Sequence, residues 1–327
     1  MSSSSFVKVR GNQFVLSDDE SQIIKLKGSN FQTPYHPHFF FKQFDFDWVK
    51  QGMEQVEALG MNCVRQIIRS SHPNYVHALA PYLDIAEQHG VRAYLIPGWP
   101  HVYAKEGTAE DAANMEFIKN LVGQVKDDPR VLAWDMANEP DWISHEAWQW
   151  DQDRAAAAKR LRWFKRMIEA IKEIDSRHPI SVGATFNYSF WMPEQPFTLE
   201  SIVDFVDFHY YRRNSREHWL GERIQQMKQH TQKPILIGEF GFPTDPNFHI
   251  HGEPEHNEEL QTEMYNRYIS EIASEDIVGF IQWTLTDCIP GEPENPQEGT
   301  YGILRMDLSW KPAAELIRDV YSGTKAW

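Results

Sequence analysis

Short runs rich in β-branched and aliphatic residues recur along this chain, each followed by a longer amphipathic stretch, and that alternation constrains the fold more than any other feature. The runs cover residues 23–28, 62–67, 91–96, 131–136, 180–184, 206–210, 235–239 and 279–283. Between them lie helix-like stretches such as 48–59 and 155–174. Eight strands joined by helical crossovers form a parallel sheet, and eight is the number that closes it, so the expectation is an α/β protein built as a (β/α)8 TIM barrel. Residues 7–16, centred on Gly11-Asn12, read as a β-hairpin capping the bottom of that barrel.

A length of 327 residues with 41% hydrophobic content suits one such barrel with insertions, so a single domain over 1–327 is expected. No linker, low-complexity tract or internal repeat beyond the βα alternation divides the sequence. The longest irregular stretches, 242–258 and 289–300, directly follow the seventh and eighth strands. Loops after strand C-termini form the active face of such a barrel, so their length predicts walls of a binding cleft.

Charge narrows the partners. Against 32 basic residues stand 47 acidic ones, for a net charge of −15, and this field repels nucleic acid phosphates and anionic membrane surfaces. A neutral substrate fits it better. No apolar run reaches the roughly 18 residues of a membrane span, and there is no glycine-rich phosphate loop. The first six residues form a serine run without a signal-peptide pattern, and Cys63 and Cys288 read as thiols, so a reducing cytoplasm is the expected location. Secretion after removal of a leader stays open on the same evidence, and the oligomeric state is not written in the sequence.

Two glutamates carry the chemistry. Glu139 closes the apolar run Trp134-Asp135-Met136-Ala137-Asn138-Glu139-Pro140, where proline ends the ladder, and Glu239 closes Ile235-Leu236-Ile237-Gly238-Glu239-Phe240-Gly241. Both positions lie at the barrel mouth, on the fourth and seventh strands, so two carboxylates face one cleft. Glycosidic cleavage requires one carboxylic acid to protonate the leaving oxygen and a carboxylate across the anomeric carbon. A charge buried there without a task or partner would be costly.

Asn138-Glu139-Pro140 taken with Gly238-Glu239-Phe240-Gly241 resembles the signature of family 5 of the glycoside hydrolases, within a large clan of retaining barrels, and the resemblance runs over essentially the whole chain. It implies a retaining hydrolase with Glu139 as acid/base, Glu239 as nucleophile, and carboxyl groups about 5–5.5 Å apart. It further implies that Asn138 binds the sugar 2-hydroxyl, that Arg65 holds Glu239 ionised, that Tyr211 contacts the nucleophile, and that His209 and Trp283 join the substrate site. Trp99, Trp142 and Trp191 follow the third, fourth and fifth strands and are candidates to line flanking subsites. Where the commonest cellulase pattern has histidine, this chain has Leu95-Ile96-Pro97-Gly98-Trp99; the tryptophan resembles the mannan-cleaving branch, as do Ala133-Trp134-Asp135 and the tail Tyr301-Gly302-Ile303-Leu304 through Lys311-Pro312. β-1,4-Linked mannosides are therefore the expected substrate, with glucans and β-glucosides as alternatives.

No cofactor and no metal are expected. His249, His251 and His256, set among Glu253, Glu255, Glu258 and Glu259, match no compact ligand spacing and read as a solvated acidic loop. Arg212-Arg213 beside Tyr211 is either a contact for a charged substituent or a solvated pair. A non-catalytic carbohydrate-binding barrel is the reading from another class, and the presence of both glutamates speaks against it.

Overall fold

The computed structural model describes residues 5–32, 45–69, 75–140, 154–185, 198–212, 219–248, 254–289 and 296–325. Eight parallel strands close on themselves, arranged around the barrel in their order along the chain. They are β4 (Leu26–Asn30), β5 (Cys63–Arg69), β6 (Arg92–Gly98), β7 (Val131–Asn138), β8 (Ile180–Ala184), β9 (Val206–Tyr210), β10 (Ile235–Phe240) and β11 (Gly279–Gln282). Crossover helices cover the outside: α1 (Phe46–Ala58), α2 (Tyr75–Gln88), α3 (Ala109–Val125), α4 (Arg154–Ile174), the single turn α5 (Leu199–Ile202), α6 (Leu220–Lys228), α7 (Glu258–Ala273) and α8 (Pro312–Tyr321). The expected (β/α)8 barrel is thus the observed one.

Helix starts follow from the local sequence. Asp45 accepts hydrogen bonds from the Asp47 and Trp48 amides ahead of α1, and Asn257 does the same for the Leu260 amide ahead of α7. Pro312 occupies the first turn of α8, where its missing N–H costs nothing.

Below the barrel sits an antiparallel sheet of β1 (Val7–Arg10), β2 (Gln13–Leu16) and β3 (Ile23–Ile24). The predicted hairpin is therefore part of a three-stranded plug. One boundary differs: residues 23–28 do not form one strand, because Ile23 and Ile24 pair with β2, and barrel pairing begins at Leu26. A continuous apolar run hides that change of sheet. Val7, Phe14, Leu16, Ile24 and Leu26 pack with Leu132, Phe205, Leu236 and Ile281 to seal the barrel floor, with Phe14 edge-on to Phe205 at 5.1 Å. The larger core lies between strands and helices.

Two irregularities aim the barrel mouth. Between β7 and β8 the register runs Asp135 to Ser181 and then Asn138 to Gly183, one residue more on β7. Between β10 and β9 it steps from Ile237 opposite Phe208 to Glu239 opposite His209, leaving Gly238 as the extra residue. Such bulges turn the side chains that follow them, here the segments ending in Glu139 and Glu239.

Candidate active site

The site is assembled around Arg65, which β5 delivers into the barrel and which is 1% exposed. Its Nε and Nη2 donate to Asp135 Oδ2 at 3.1 and 2.5 Å, Nη2 also to Asn138 Oδ1 at 2.8 Å, and Nη1 to Asn30 Oδ1 at 2.8 Å and to Glu239 Oε1. All three nitrogens are engaged, as the rigid guanidinium fork allows. Burial opposes the charge, but Asp135, Glu239 and Asp207 outweigh it and hold the guanidinium protonated more firmly than usual.

Glu239 receives its second donor from the Tyr211 hydroxyl, 2.7 Å from Oε2. Burial raises the Glu239 carboxyl above its ordinary range, and His209, Arg65 and Tyr211 pull the other way. Burial also pushes His209 down to about 4, so at neutral pH the imidazole is uncharged and the work of opposing that rise falls to Arg65 and Tyr211. Tyr211 is pushed well above the usual phenol range by burial and by Glu239 and Glu139, which fixes it as a hydrogen-bond donor.

Glu139 stands opposite. Its backbone has φ +47°, a left-handed conformation that is strained for a residue with a side chain, and its amide is anchored by a 2.7 Å bond to the Gly183 carbonyl. His209 Nδ1 lies 2.9 Å from Glu139 Oε1 and 3.6 Å from Glu239 Oε2. One carboxylate oxygen of each glutamate and a ring nitrogen of His209 fall within 4.8 Å of one another.

A second polar tier supports the first from below. Asp135 Oδ1 accepts from the Gly183 and Ala137 amides at 2.8 and 3.2 Å, and the Tyr94 hydroxyl donates to Asp207 Oδ2 at 2.6 Å. Two glycines make the room: a Cβ at Gly183 would meet His209 Nε2 at 2.6 Å, and one at Gly238 would meet Asp207 Oδ1 at 1.9 Å. Asp135, Asp207 and His209 also bring donor atoms within metal-binding reach of one another, but the Arg65 guanidinium already supplies the positive charge at Asp135.

Of the residues expected from sequence, Arg65, Asn138, Glu139, His209, Tyr211 and Glu239 meet in this one cluster. Trp283 is half-buried directly after β11, its amide bonded to the Phe240 carbonyl at 2.8 Å. Trp99 is elsewhere. Its indole is packed edge-on against Phe117 and Trp163 in the layer between strands and helices, with Nε1 donating to the Met136 carbonyl at 2.6 Å, so the expectation that it lines a subsite is corrected to a core role. Trp99 lies one residue past the end of β6, where its amide bonds back to the Pro97 carbonyl at 3.1 Å, and from this turn the indole enters the outer layer. Trp142, Trp191, Arg213, His249, His251 and Glu253 lie outside the described residues. His256 is not solvated: it is 1% exposed and stacks on Phe242 at 4.3 Å, while Glu258 pairs with Arg305 at 2.6 Å. Arg212 stacks over the Trp219 ring at 3.9 Å.

Sequence reasoning passed over Asn30, Tyr94, Asp135 and Asp207 as parts of the site. The available signal was a charged residue in the middle of an apolar strand, Trp134-Asp135-Met136 and Val206-Asp207-Phe208.

The profile of glycosyl hydrolases family 2, TIM barrel domain, matches residues 7–326. The chain belongs to that family. A family 2 barrel takes the place of the family 5 membership that the motifs suggested, while the expected barrel with its glycosidase signature stands. The family 2 barrel domain is 23% identical over 292 residues to the β-glucuronidase of Felis catus, covering 86% of this chain and 41% of that protein. Similarity to mannan endo-1,4-β-mannosidase 1 of Arabidopsis thaliana is partial, at 26% over 219 residues, with 54% of this chain and 50% of that protein covered. Among solved structures, the β-D-glucuronidase of Dictyoglomus thermophilum superposes with a TM-score of 0.73 at 20% identity, over 99% of this chain and 54% of that one. The chain thus spans about half the length of these relatives.

Proposed function

We propose that this family 2 barrel hydrolyses β-glycosides with retention, through a glycosyl-enzyme formed on Glu239. The observation that carries the reading is the closeness of the two carboxylates. One oxygen of each carboxyl lies within 4.8 Å of the other, and both approach the same His209 nitrogen, at 2.9 and 3.6 Å, a closeness in keeping with a retaining pair, whose carboxyl groups stand about 5–5.5 Å apart. Glu139 protonates the departing oxygen, Glu239 forms the ester, and Glu139 then takes a proton from the incoming water. Arg65 on Glu239 Oε1 stabilises the carboxylate before attack and again as it departs in the second step. No metal or cofactor takes part in this scheme.

For the sugar, the first reading is a β-1,4-mannoside. With Trp99 in the core, its support is the tail from Tyr301 to Pro312, the partial similarity to a plant mannan endo-1,4-β-mannosidase, and a net charge of −15 that favours neutral substrates. A β-uronide is the second reading, favoured by Arg69. This cation ends β5 four residues beyond Arg65 on the same strand face, is partly buried, and has no ion pair or hydrogen bond among the described residues. Similarity to β-glucuronidases over 86% of the chain points the same way. Matched nitrophenyl β-mannoside, β-glucoside and β-glucuronide, followed by product analysis on mannan oligomers, test both. Mannose-linked turnover supports the first reading; turnover of the glucuronide that is lost in Arg69→Ala supports the second; turnover of none of the three by the intact chain contradicts the proposed activity.

A further inference from the structure

Two buried polar atoms face each other beneath the glutamates with no hydrogen-bond partner among the described residues: Asp207 Oδ1 and His209 Nε2, 4.0 Å apart on side chains that are fully enclosed. Orphaned polar atoms are costly in a core, and a pair of them confronting one another at the base of an active site is a specific arrangement rather than a packing defect. Each side chain is fixed at its other end. Tyr94 holds Asp207 Oδ2 from behind, and His209 Nδ1 reaches Glu139 Oε1 at 2.9 Å. Glycine at 183 and at 238 keeps the space around both atoms open.

We propose that Asp207, as a carboxylic acid, is the positioning residue that donates to His209 Nε2 and so fixes the imidazole as the Nδ1–H tautomer bonded to Glu139. The 4.0 Å gap closes by a shift of about 1 Å to ordinary hydrogen-bond length, or through one bridging water. With Nδ1–H committed to Glu139 Oε1, the other Glu139 oxygen is left to carry the proton that moves to and from the substrate.

The charges around Asp207 fit a protonated acid. It faces Asp135 from β7 and Glu239 from β10, both acidic, with Arg65 from β5 and the Tyr94 hydroxyl from β6 as the opposing groups and His209 on its own strand. Burial and the Asp135 carboxylate push it up to about 8. The imidazole, at about 4, is neutral throughout the working range and has one proton to place.

The inference rests on Glu139 being the acid/base, but its first test does not. Proton–nitrogen NMR of the full chain labelled at its 14 histidines, with His209→Gln to assign the signal, reads the tautomer without any substrate. The expected result is an Nδ1–H imidazole at neutral pH whose signals change as pH rises through about 8. In Asp207→Asn the carboxamide N–H donates to Nε2 and its oxygen accepts from Tyr94, so the same tautomer persists and no longer responds to alkali. In Asp207→Ala the tautomers mix, and kcat falls at least about tenfold with KM little changed. An Nε2–H imidazole in the unaltered protein overturns the proposal, and so does an alkaline response preserved in Asp207→Asn. If Asp207→Ala fails to fold, the unaltered protein and Asp207→Asn decide the question alone.

Discussion

Replacing Arg65 with methionine removes one cation from between two carboxylates. Arg65, Asp135 and Glu239 are 1%, 0% and 3% exposed, so water does not fill the role of the lost partner. Breaking a buried pair by deleting one member costs about 3–5 kcal/mol, because the remaining charge is left uncompensated. At roughly 2–4 °C per kcal/mol, the melting temperature drops by on the order of 6–20 °C, nearer the lower figure for a chain of this length. The pH dependence follows from burial, which already raises the Glu239 carboxyl. Without Arg65 it rises further, so the folded state binds protons that the unfolded state does not, and stability falls as pH rises through that window. The deficit of Arg65→Met against the unaltered protein is therefore larger in mild alkali than in mild acid. Differential scanning calorimetry across pH measures this, and Arg65→Lys, which keeps the charge but not the fork, lies between the two. A melting temperature changed by less than about 2 °C, or a deficit that widens on acidification, refutes the reasoning.

Glu139→Ala lowers turnover of unactivated glycosides by several orders of magnitude and spares substrates with good leaving groups, which need little protonation; equal losses on both would remove Glu139 from the acid role. Gly183→Ala forces a Cβ to within 2.6 Å of His209 Nε2, 2.9 Å of Asp135 Oδ2 and 3.0 Å of Arg65 Nη2, so it is expected to cost about 1–3 kcal/mol in melting experiments and most of kcat. Trp99→Phe leaves the Met136 carbonyl without its indole donor and lowers the melting temperature, while the ratio of mannoside to glucoside turnover stays unchanged.

The barrel was legible because fully buried parallel strands read as apolar runs, and residues 180–184 and 206–210 match β8 and β9 to the residue. Where a run passes from one sheet to another, as between Ile24 and Leu26, composition held no mark of it. At the mouth, the glutamates were visible as acids ending apolar strands. The tier beneath them was not, since Tyr94, Asp135 and Asp207 sit inside apolar strands and become part of the site only when barrel closure turns their side chains inward toward Arg65 and His209. Trp99 shows the reverse case: position after a strand suggested the cleft, but which way a side chain leaves the last residues of a strand depends on register, and here it turns toward Trp163. Family membership was misread for a related reason. Asn-Glu-Pro and Gly-Glu-Phe-Gly report the chemistry of the mouth, whereas the family 2 profile draws on residues 7–326.

The most direct measurement is to trap the intermediate with a slow fluorosugar substrate carrying a fluoride leaving group and to locate the attached sugar by peptide mass mapping. The account predicts one sugar on the peptide containing Glu239, with activity recovering as the ester hydrolyses. A label on Glu139, or turnover of the trap with no covalent species and an inverted product, contradicts it.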